Sequence, residues 1–353
     1  MDSTIEIQGK RLKLSNLEKV LYPAAGFTKQ QVIDYYVRIA PAMIPHLAAR
    51  PLTRKRYPNG VDEEFFYEKN APQHRPDWVK TVPIWSEGNR RTVHYILADD
   101  LATLVWLANL AAIELHPSLS LAEDITCPTM MVFDLDPGPP ANIVQCCQVG
   151  LWLREIFEHF ELQSFPKTSG SKGLQIYVPL NTPTSYESTK PFAHALAQLL
   201  EHDHPEMVVS DMKKTVRTGK VFVDWSQNDE HKTTIAVYSL RARERPTVST
   251  PVTWEEVERA FKKKDARLLV FEAGQTVKRV EKMGDLSAPL LVLKQRLPDL
   301  KKLAEPAAAE TQEPISIAAQ TEEEPAVAHR RAVRKGSRRV AKRPPVGKAK
   351  RKV

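Results

Sequence analysis

Residues 130–138 constrain the fold more than any other segment, because an apolar run ends there in two carboxylates one residue apart. Four apolar residues lead into Asp134, Leu135 and Asp136, and Pro-Gly follows. This pattern predicts a short buried strand that runs into a turn. Side chains two residues apart in a strand point to the same face, so Asp134 and Asp136 are expected to project together.

Two carboxylates on one face repel each other, and one of them stays protonated unless a cation neutralises the pair. Mg²⁺ and Mn²⁺ take oxygen ligands and commonly bridge to phosphates. The pair therefore predicts a phosphate-handling metal site. The alternative is that Asp134 is an edge-strand residue and Asp136 only opens the Pro-Gly turn, since motifs this short often match by accident.

The composition predicts a globular protein with two lobes, since 353 residues of which 42% are hydrophobic can bury a substantial core. No run of eighteen apolar residues and no basic-then-apolar leader is present, so we expect no membrane span and a cytoplasmic location. Cys127, Cys146 and Cys147 lack metal-ligand spacing and are expected to be structural.

The net charge of +8 is concentrated at the C-terminus. Residues 329–353 contain twelve Lys or Arg and no acidic residue, so the preceding residues carry a net charge of −4. From residue 305 the chain is rich in Ala, Pro and Glu and has no aromatic residue. Such a segment cannot offset its ordering entropy. We expect one domain over 1–304 and a disordered tail over 305–353, whose basic arm either contacts DNA phosphates or only aids solubility.

Helix and strand patterns mix along the body of the chain and predict an α/β or α+β fold. Capping boxes at Thr28 and Thr253 predict helix starts, and the first helix is expected to end at Ala40, before Pro41. Asp99 or Asp100 precedes an apolar segment that predicts a buried helix. The expected helices cover 28–40, 101–115, 142–161 and 188–203, and the expected strands cover 174–180, 220–225 and 233–239.

Several further segments carry candidate chemistry. Asp224 ends an apolar strand, where it serves either a turn or a salt bridge, or completes a three-carboxylate cage for two metal ions. The loop Ser-Gly-Ser-Lys-Gly at 169–173 is either a flexible hairpin or an anion-binding turn. The basic clusters at 54–56, 213–217 and 241–243 are either solvated faces or phosphate contacts. Phe65, Phe66 and Tyr67 are either core residues or a stacking platform for bases. His116 is expected to close the buried helix, where it either complements the helix C-terminus or faces the same site as the carboxylates.

Taken in chain order, these segments resemble the polymerase domain of bacterial ligase D, of the archaeo-eukaryotic primase superfamily. The resemblance extends from Leu14 to about Pro298. Each motif alone is too short to be specific, so the resemblance depends on all the motifs occurring in the family's order. The motifs are LSNLEKVLYP (14–23), GFTK (26–29), RYPNG (56–60), FF (65–66), ELHP (114–117), VFDLDP (132–137), the segment 169–180, VD (223–224) and YSLRAR (238–243).

The resemblance implies a primase-polymerase core, with central antiparallel or mixed sheets flanked by helices, and a role for each motif. Two Mg²⁺ or Mn²⁺ ions would be held by Asp134, Asp136 and Asp224. The incoming NTP or dNTP would contact Lys55, Arg56, His116, Ser169, Lys172, Gln175 and Arg241. DNA would contact Asn16, Lys19 and Lys29 through a 5′-phosphate, and Phe65, Phe66 and Arg217 through the template.

The implied function is metal-dependent addition of nucleotides at DNA gaps and double-strand-break ends during non-homologous end joining, near the nucleoid. The implied partners are the Ku protein and a separate ATP-dependent DNA ligase, since the chain has no ligase lysine motif and no phosphoesterase segment. Gln175 stands where the family carries His, and Gln cannot become cationic. One alternative is therefore a non-catalytic DNA-end-binding adaptor. A second is an Asp-x-Asp nucleotide-sugar transferase, which leaves Asp224, the 169–173 loop and the basic tail without an explanation.

Overall fold

The computed structural model describes residues 3–299, which form a mixed α+β structure as predicted. The predicted tail, 305–353, lies outside these residues. The first part of the chain contains β1 (Ser3–Ile7), β2 (Lys10–Leu14), β3 (Val20–Tyr22), β4 (Phe27–Thr28), α1 (Lys29–Leu47), β5 (Leu52–Arg56), β6 (Phe66–Glu68), β7 (Thr81–Ser86), β8 (Arg91–Ile96), α2 (Leu101–Asn109) and β9 (Ala112–Pro117). The second part contains β10 (Ser120–Leu121), β11 (Asp124–Pro128), β12 (Met130–Pro137), α3 (Ile143–His159), β13 (Phe165–Thr168), β14 (Leu174–Pro179), α4 (Tyr186–Asp203), β15 (Val208–Val209), β16 (Val221–Asp224), α5 (Trp254–Lys263), α6 (Ala273–Met283) and α7 (Pro289–Val292).

The Asp-x-Asp strand lies at the centre of a five-stranded sheet with the order β13-β14-β12-β16-β15. β12 is antiparallel to β14 and to β16, and β15 pairs in parallel with β16. Phe133 and Leu135 point to one face and join α3 in a fully buried core, where the Phe133 and Phe157 rings lie 5.4 Å apart. Because side chains alternate along a strand, Asp134 and Asp136 project from the opposite face.

A second five-stranded sheet has the order β6-β5-β8-β7, with β9 also pairing with β5. Leu52 of β5 lies opposite Ile96 of β8 and opposite Pro117 of β9. Helices α1 and α2 share one core cluster with this sheet, to which Tyr36 and Leu107 contribute fully buried side chains. β5 is therefore the central strand of this sheet, since it pairs with β6, β8 and β9.

Helix α1 begins at the predicted capping box but continues beyond the predicted end. Thr28 Oγ1 accepts a hydrogen bond from the Gln31 N–H, and Gln31 Oε1 accepts one from the Thr28 N–H. The helix runs through Pro41 to Leu47, so the predicted end at Ala40 is wrong. Pro41 cannot donate to the Val37 carbonyl, and both residues are exposed, so water can solvate that carbonyl and the helix persists.

The apolar segment 101–115 contains two elements and not the single predicted helix. Asp100 Oδ1 accepts a hydrogen bond from the Thr103 N–H, as expected for a helix cap, and the helix ends at Asn109. Ala111 has a φ of 56°, which turns the chain into β9. A fully buried helix and a fully buried strand show the same apolar run, so periodicity could not separate them.

The predicted strand over 233–239 is wrong, because this segment is irregular. The Thr234 and Ala236 N–H groups donate to the Pro117 and Leu115 carbonyls along the edge of β9. Tyr238 has a φ of 65°, which breaks any continuation as a strand. The other predicted helices and strands are confirmed, with ends that differ by at most two residues.

Cys146 and Cys147 are fully buried free thiols, in agreement with a structural role. Among the residues that the structure describes, no helix has the length and apolar character needed to cross a membrane.

Candidate active site

A cavity of about 730 Å³ is lined by strands of both five-stranded sheets. The sheet that contains β12 contributes Asp134, Asp136 and Gln175, and the sheet that contains β9 contributes Glu114 and His116. β12 thus supplies one pair of titratable residues two positions apart, Asp134 and Asp136, and β9 supplies another, Glu114 and His116. Because such pairs project from one face of a strand, the two pairs face one cavity.

Four neighbouring strands place four polar side chains in a single row across the β12 sheet. Asp134 is opposite Gln175 on β14 and opposite Asp224 on β16, and Gln175 is opposite Lys167 on β13. Directly opposed residues in antiparallel strands have Cβ atoms about 4.5–5.5 Å apart. The register therefore brings together one amide, one lysine and two carboxylates that lie far apart in the chain.

The surroundings of Asp134 and Asp136 disfavour the ionised form of both carboxyl groups. Burial, reinforced by the charges of Asp136 and Asp224, raises the pKa of Asp134 to about 7. Burial and the Asp224 charge also raise the pKa of Asp136. Asp134 Oδ1 is buried and has no hydrogen-bond partner among the described residues. A buried carboxylate oxygen without a donor suits a hard cation, so the residues present fit a divalent metal ion.

Asp224 is directed toward its own turn and not toward the other two carboxylates. Its carboxylate accepts hydrogen bonds from the Ser226 N–H at 3.0 Å, the Ser226 hydroxyl at 2.5 Å and Gln227 Nε2 at 2.7 Å. Within residues 3–299, no three His, Cys, Asp or Glu side chains are grouped closely enough to hold a metal ion. The predicted three-carboxylate cage is thus not assembled, and Asp134 and Asp136 form the open pair.

Lys167 is a polar residue of this site that the sequence reasoning missed. Its side chain is 1% exposed, and its Nζ donates to Gln175 Oε1 and to Ser249 Oγ, each at 2.5 Å. Burial lowers the pKa of Lys167 well below its usual range. With Oε1 occupied, Gln175 directs Nε2 to Thr234 Oγ1 at 3.4 Å. A lysine beside Phe-Pro gives no sequence signal of burial, because lysines are mostly exposed.

The 169–173 loop is a tight turn between β13 and β14 that closes against β12. Ser169 Oγ accepts hydrogen bonds from the Gly173 N–H at 3.1 Å and the Ser171 N–H at 3.3 Å. A Cβ on Gly173 would lie 2.1 Å from the Leu135 carbonyl oxygen, so only glycine permits this approach. Lys172 is exposed at the cavity wall.

Glu114 contacts three basic side chains on the opposite wall. Its carboxylate lies 3.1 Å from His116 Nε2, 3.2 Å from Arg241 Nε and 3.6 Å from Lys55 Nζ. Arg241 Nη1 also donates to the Ser169 carbonyl at 3.1 Å, which connects this cluster to the 169–173 loop. Burial lowers the pKa of His116, and contact with Glu114 opposes that effect. His116 lies on β9, so the prediction that it closes a helix is wrong.

The structure does not bring Arg56 into the cavity. Successive residues of β5 face opposite sides, and Arg56 donates to the Leu110 carbonyl and to Glu68, each at 2.8 Å. Lys55 faces the cavity, and its Nζ lies 4.3 Å from the centre of the Phe65 ring.

Aromatic and basic side chains lie at the edge of the cavity. Phe65 and Phe66 are about half exposed, at 50% and 52%, and Tyr67 lines the cavity. Arg217 also lines it and places its guanidinium 3.6 Å from the centre of the Phe222 ring. Tyr67 is opposite the cavity-facing Lys55 on β5, whereas Phe66 is opposite Arg56 and projects from the other face of the strand pair.

Asn16, Lys19 and Lys29 lie together at the N-terminus of α1. Asn16 and Lys19 form a turn through the Lys19 N–H and the Asn16 carbonyl, and the Lys29 N–H donates to the Lys19 carbonyl. Lys19 Nζ donates to Asn59 at 2.9 Å, and Lys29 Nζ donates to the Ser15 carbonyl at 2.6 Å. None of the three lines the cavity, and Lys29 is buried at 6% exposure, so Asn16 and Lys19 form the accessible part of this separate cluster.

Comparison with known proteins identifies the relatives of this chain. Residues 28–287 match the family model for "LigD, primase-polymerase domain". The "Multifunctional non-homologous end joining protein LigD" of Mycolicibacterium smegmatis is 43% identical over 283 residues, which cover 80% of this chain and 36% of that protein. The "Bifunctional non-homologous end joining protein LigD" of Bacillus subtilis is 30% identical over 275 residues, or 78% of this chain and 43% of that protein. The chain thus spans less than half the length of these relatives.

A solved structure shows the same fold. The "Polymerase Domain from Mycobacterium tuberculosis Ligase D in complex with DNA" is 39% identical and superposes with a TM-score of 0.74. The match covers 81% of this chain and 99% of that one. The α+β fold and the predicted family resemblance are therefore confirmed.

Proposed function

This chain belongs to the LigD primase-polymerase family, and from that membership we propose that it is a nucleotidyltransferase that extends DNA primers at gaps and double-strand-break ends. The observation that carries the proposal is one cavity with the open carboxylate pair Asp134 and Asp136 on one wall and the basic side chains Lys55, His116 and Arg241 on the other. This charge arrangement is complementary to a metal-bound triphosphate. It favours nucleotidyl transfer over the nucleotide-sugar and adaptor alternatives.

Divalent metal ions, Mg²⁺ or Mn²⁺, would be held first by Asp134 and Asp136. Bound there, they would neutralise the charge of the triphosphate and lower the pKa of the attacking hydroxyl. Asp224 can join this pair by giving up its hydrogen bonds to Ser226 and Gln227, because it shares the row of Asp134. The unpartnered Asp134 Oδ1 supports this assignment.

The incoming NTP or dNTP would place its phosphates between the two walls. Lys55, Arg241 and Lys172 supply positive charge, and Ser169 keeps its hydroxyl proton available while its Oγ accepts from the loop. Gln175 supplies a neutral donor through Nε2, which Lys167 orients by occupying Oε1. The reaction is attack of the primer 3′-hydroxyl on the α-phosphate with release of pyrophosphate.

DNA would approach across the exposed aromatic edge. Phe65 and Phe66 would stack on template bases through their exposed rings, and Arg217 would contact a template phosphate. The surface at Asn16, Lys19 and Lys29 would bind a 5′-phosphate at the far side of a gap.

We propose the Ku protein and a separate ATP-dependent ligase as partners, since the LigD relatives are named for non-homologous end joining.

Primer extension on a gapped duplex with a 5′-phosphate, with NTPs or dNTPs and Mn²⁺, tests the proposal. We expect the wild-type protein to add nucleotides and Asp134→Ala to add none while it still binds the gapped DNA. Glu256→Gln is a matched control, because Glu256 pairs with Arg279 outside the cavity. Extension that persists in Asp134→Ala, or its absence from the wild-type protein, would contradict the proposal.

A further inference from the structure

We propose that Glu114 is a positioning residue that holds Lys55, His116 and Arg241 in the arrangement that binds the triphosphate. This inference rests on the proposed function and adds to it a residue for which the motif resemblance implied no role. It is drawn from the contacts of one buried carboxylate, whose side chain is 4% exposed.

The strand register brings the members of this cluster to one place. Glu114 and Lys55 are directly opposed on β9 and β5, and His116 lies two residues after Glu114 on the same face of β9. Arg241 comes from a different part of the chain, and its backbone carbonyl accepts a hydrogen bond from the buried Tyr22 hydroxyl at 3.0 Å. Three separate segments therefore converge on a single side chain.

Both oxygens of the Glu114 carboxylate are occupied by these groups. Oε1 lies 3.2 Å from Arg241 Nε and accepts a hydrogen bond from the Ala242 N–H at 3.1 Å. Oε2 lies 3.1 Å from His116 Nε2 and 3.6 Å from Lys55 Nζ. Each of the three side chains contacts Glu114 and, like Glu114, lines the cavity. Glu114 thus orients them from the wall that they share.

The charges explain why this carboxylate is needed. Lys55 and Arg241, with His116 when protonated, would repel one another at these distances in the absence of an anion. One buried carboxylate offsets this repulsion before the nucleotide arrives, so that less reorganisation is needed on binding. Without it, at least one cation is expected to turn toward solvent.

Removing the Glu114 charge is expected to change triphosphate affinity in opposite directions, depending on whether Glu114 positions the basic side chains or only balances their charge. If Glu114 only lowered the positive charge of the cavity, Glu114→Gln would bind a triphosphate more tightly. If it positions the cations, Glu114→Gln would bind more weakly, although the cavity becomes more positive. We expect the second result, with affinity reduced about tenfold or more.

The test is titration of the full-length protein with a non-hydrolysable α,β-methylene NTP and Mn²⁺, followed by primer-extension kinetics. In Glu114→Gln we expect KM for the NTP to rise about tenfold or more, while kcat at saturating NTP falls less than about threefold. Glu114→Asp keeps the charge and should give an intermediate KM. It also serves as the test variant should Glu114→Gln fail to fold. Glu256→Gln, which removes a distant partly buried carboxylate, should bind like wild type.

The outcomes distinguish this inference from the proposed function. Equal or tighter binding by folded Glu114→Gln, or a loss of kcat with unchanged KM in either variant, overturns the role of Glu114 and leaves the proposed function intact. A wild-type protein that binds no NTP overturns the proposed function and this inference with it. Weaker binding with retained kcat supports both.

Discussion

Asp134 and Asp224 are directly opposed on the adjacent antiparallel strands β12 and β16, although a long stretch of chain separates them. Asp136 follows on the same face of β12, and the charges of Asp136 and Asp224 both act on Asp134. Their mutual repulsion is the main reason, after burial, that the pKa of Asp134 rises to about 7. The stability of this region therefore depends on pH and on cations.

Replacing Asp134 with Asn should stabilise the metal-free protein at high pH. A carboxyl whose pKa is raised from about 4 to about 7 contributes stability that is fully present below pH 4 and lost as the pH rises through 7. At pH 8 we expect Asp134→Asn to be more stable than wild type by on the order of 1–3 kcal/mol, and at pH 4 to be similar. Urea unfolding in EDTA at the two pH values measures this. Mn²⁺ should then stabilise wild type and not the variant. An advantage of Asp134→Asn that is equal at both pH values would contradict the assignment.

Removing Lys167 should cost more stability than removing Lys167 together with its partner. Lys167→Met leaves Gln175 Oε1 buried without its main donor, and we expect a loss of about 2–3 kcal/mol. The double variant Lys167→Met/Gln175→Leu removes both polar groups and should recover part of this loss. Lys172→Met, which changes an exposed lysine nearby, is the control. Additive effects of the two substitutions in a double-mutant cycle would argue against this coupling.

Glu114 should contribute to stability only above acidic pH. Hydrogen bonding from His116 and the charges of Arg241 and Lys55 outweigh burial and lower the pKa of Glu114 to about 2. Its contribution is present above the ordinary pKa of about 4.3 and is lost as the pH falls through 2. We expect wild type to exceed Glu114→Gln by about 2–3 kcal/mol at pH 6 and by much less at pH 2.5. Guanidinium unfolding at both pH values checks this, and a constant difference would refute it.

Phe65 and Phe66 should differ in their effects on nucleotide and DNA binding. Both are half exposed, and each replacement by Ala should weaken binding of a gapped duplex by about 1–3 kcal/mol through lost stacking. Phe65 also lies under Lys55, so Phe65→Ala should in addition raise KM for the NTP, and Phe66→Ala should not. Fluorescence anisotropy and steady-state kinetics measure the two effects, with the exposed Val292→Ala as control. Identical behaviour of the two phenylalanine variants would disprove the distinction.

Local patterns were sufficient to predict much of the fold and part of the site. The capping boxes at Thr28 and Thr253, the β12 strand and its outward-facing carboxylates depend on neighbouring residues and were identified correctly. The errors occurred where burial conceals periodicity, as in segment 101–115, or where tertiary contacts replace a sheet ladder, as in 233–239.

The sequence by itself determined that Asp134 and Asp136 share one face, because strand geometry depends only on the alternation of adjacent residues. It also determined the α+β class and the family, because the motifs occur in a fixed order. Only the tertiary structure decided which distant side chains meet. Strand register placed Gln175 and Asp224 beside Asp134, Lys167 beside Gln175 and Lys55 beside Glu114, and it turned Arg56 away from the cavity. Register depends on the packing of whole sheets and on loop closure, which no short stretch of sequence encodes.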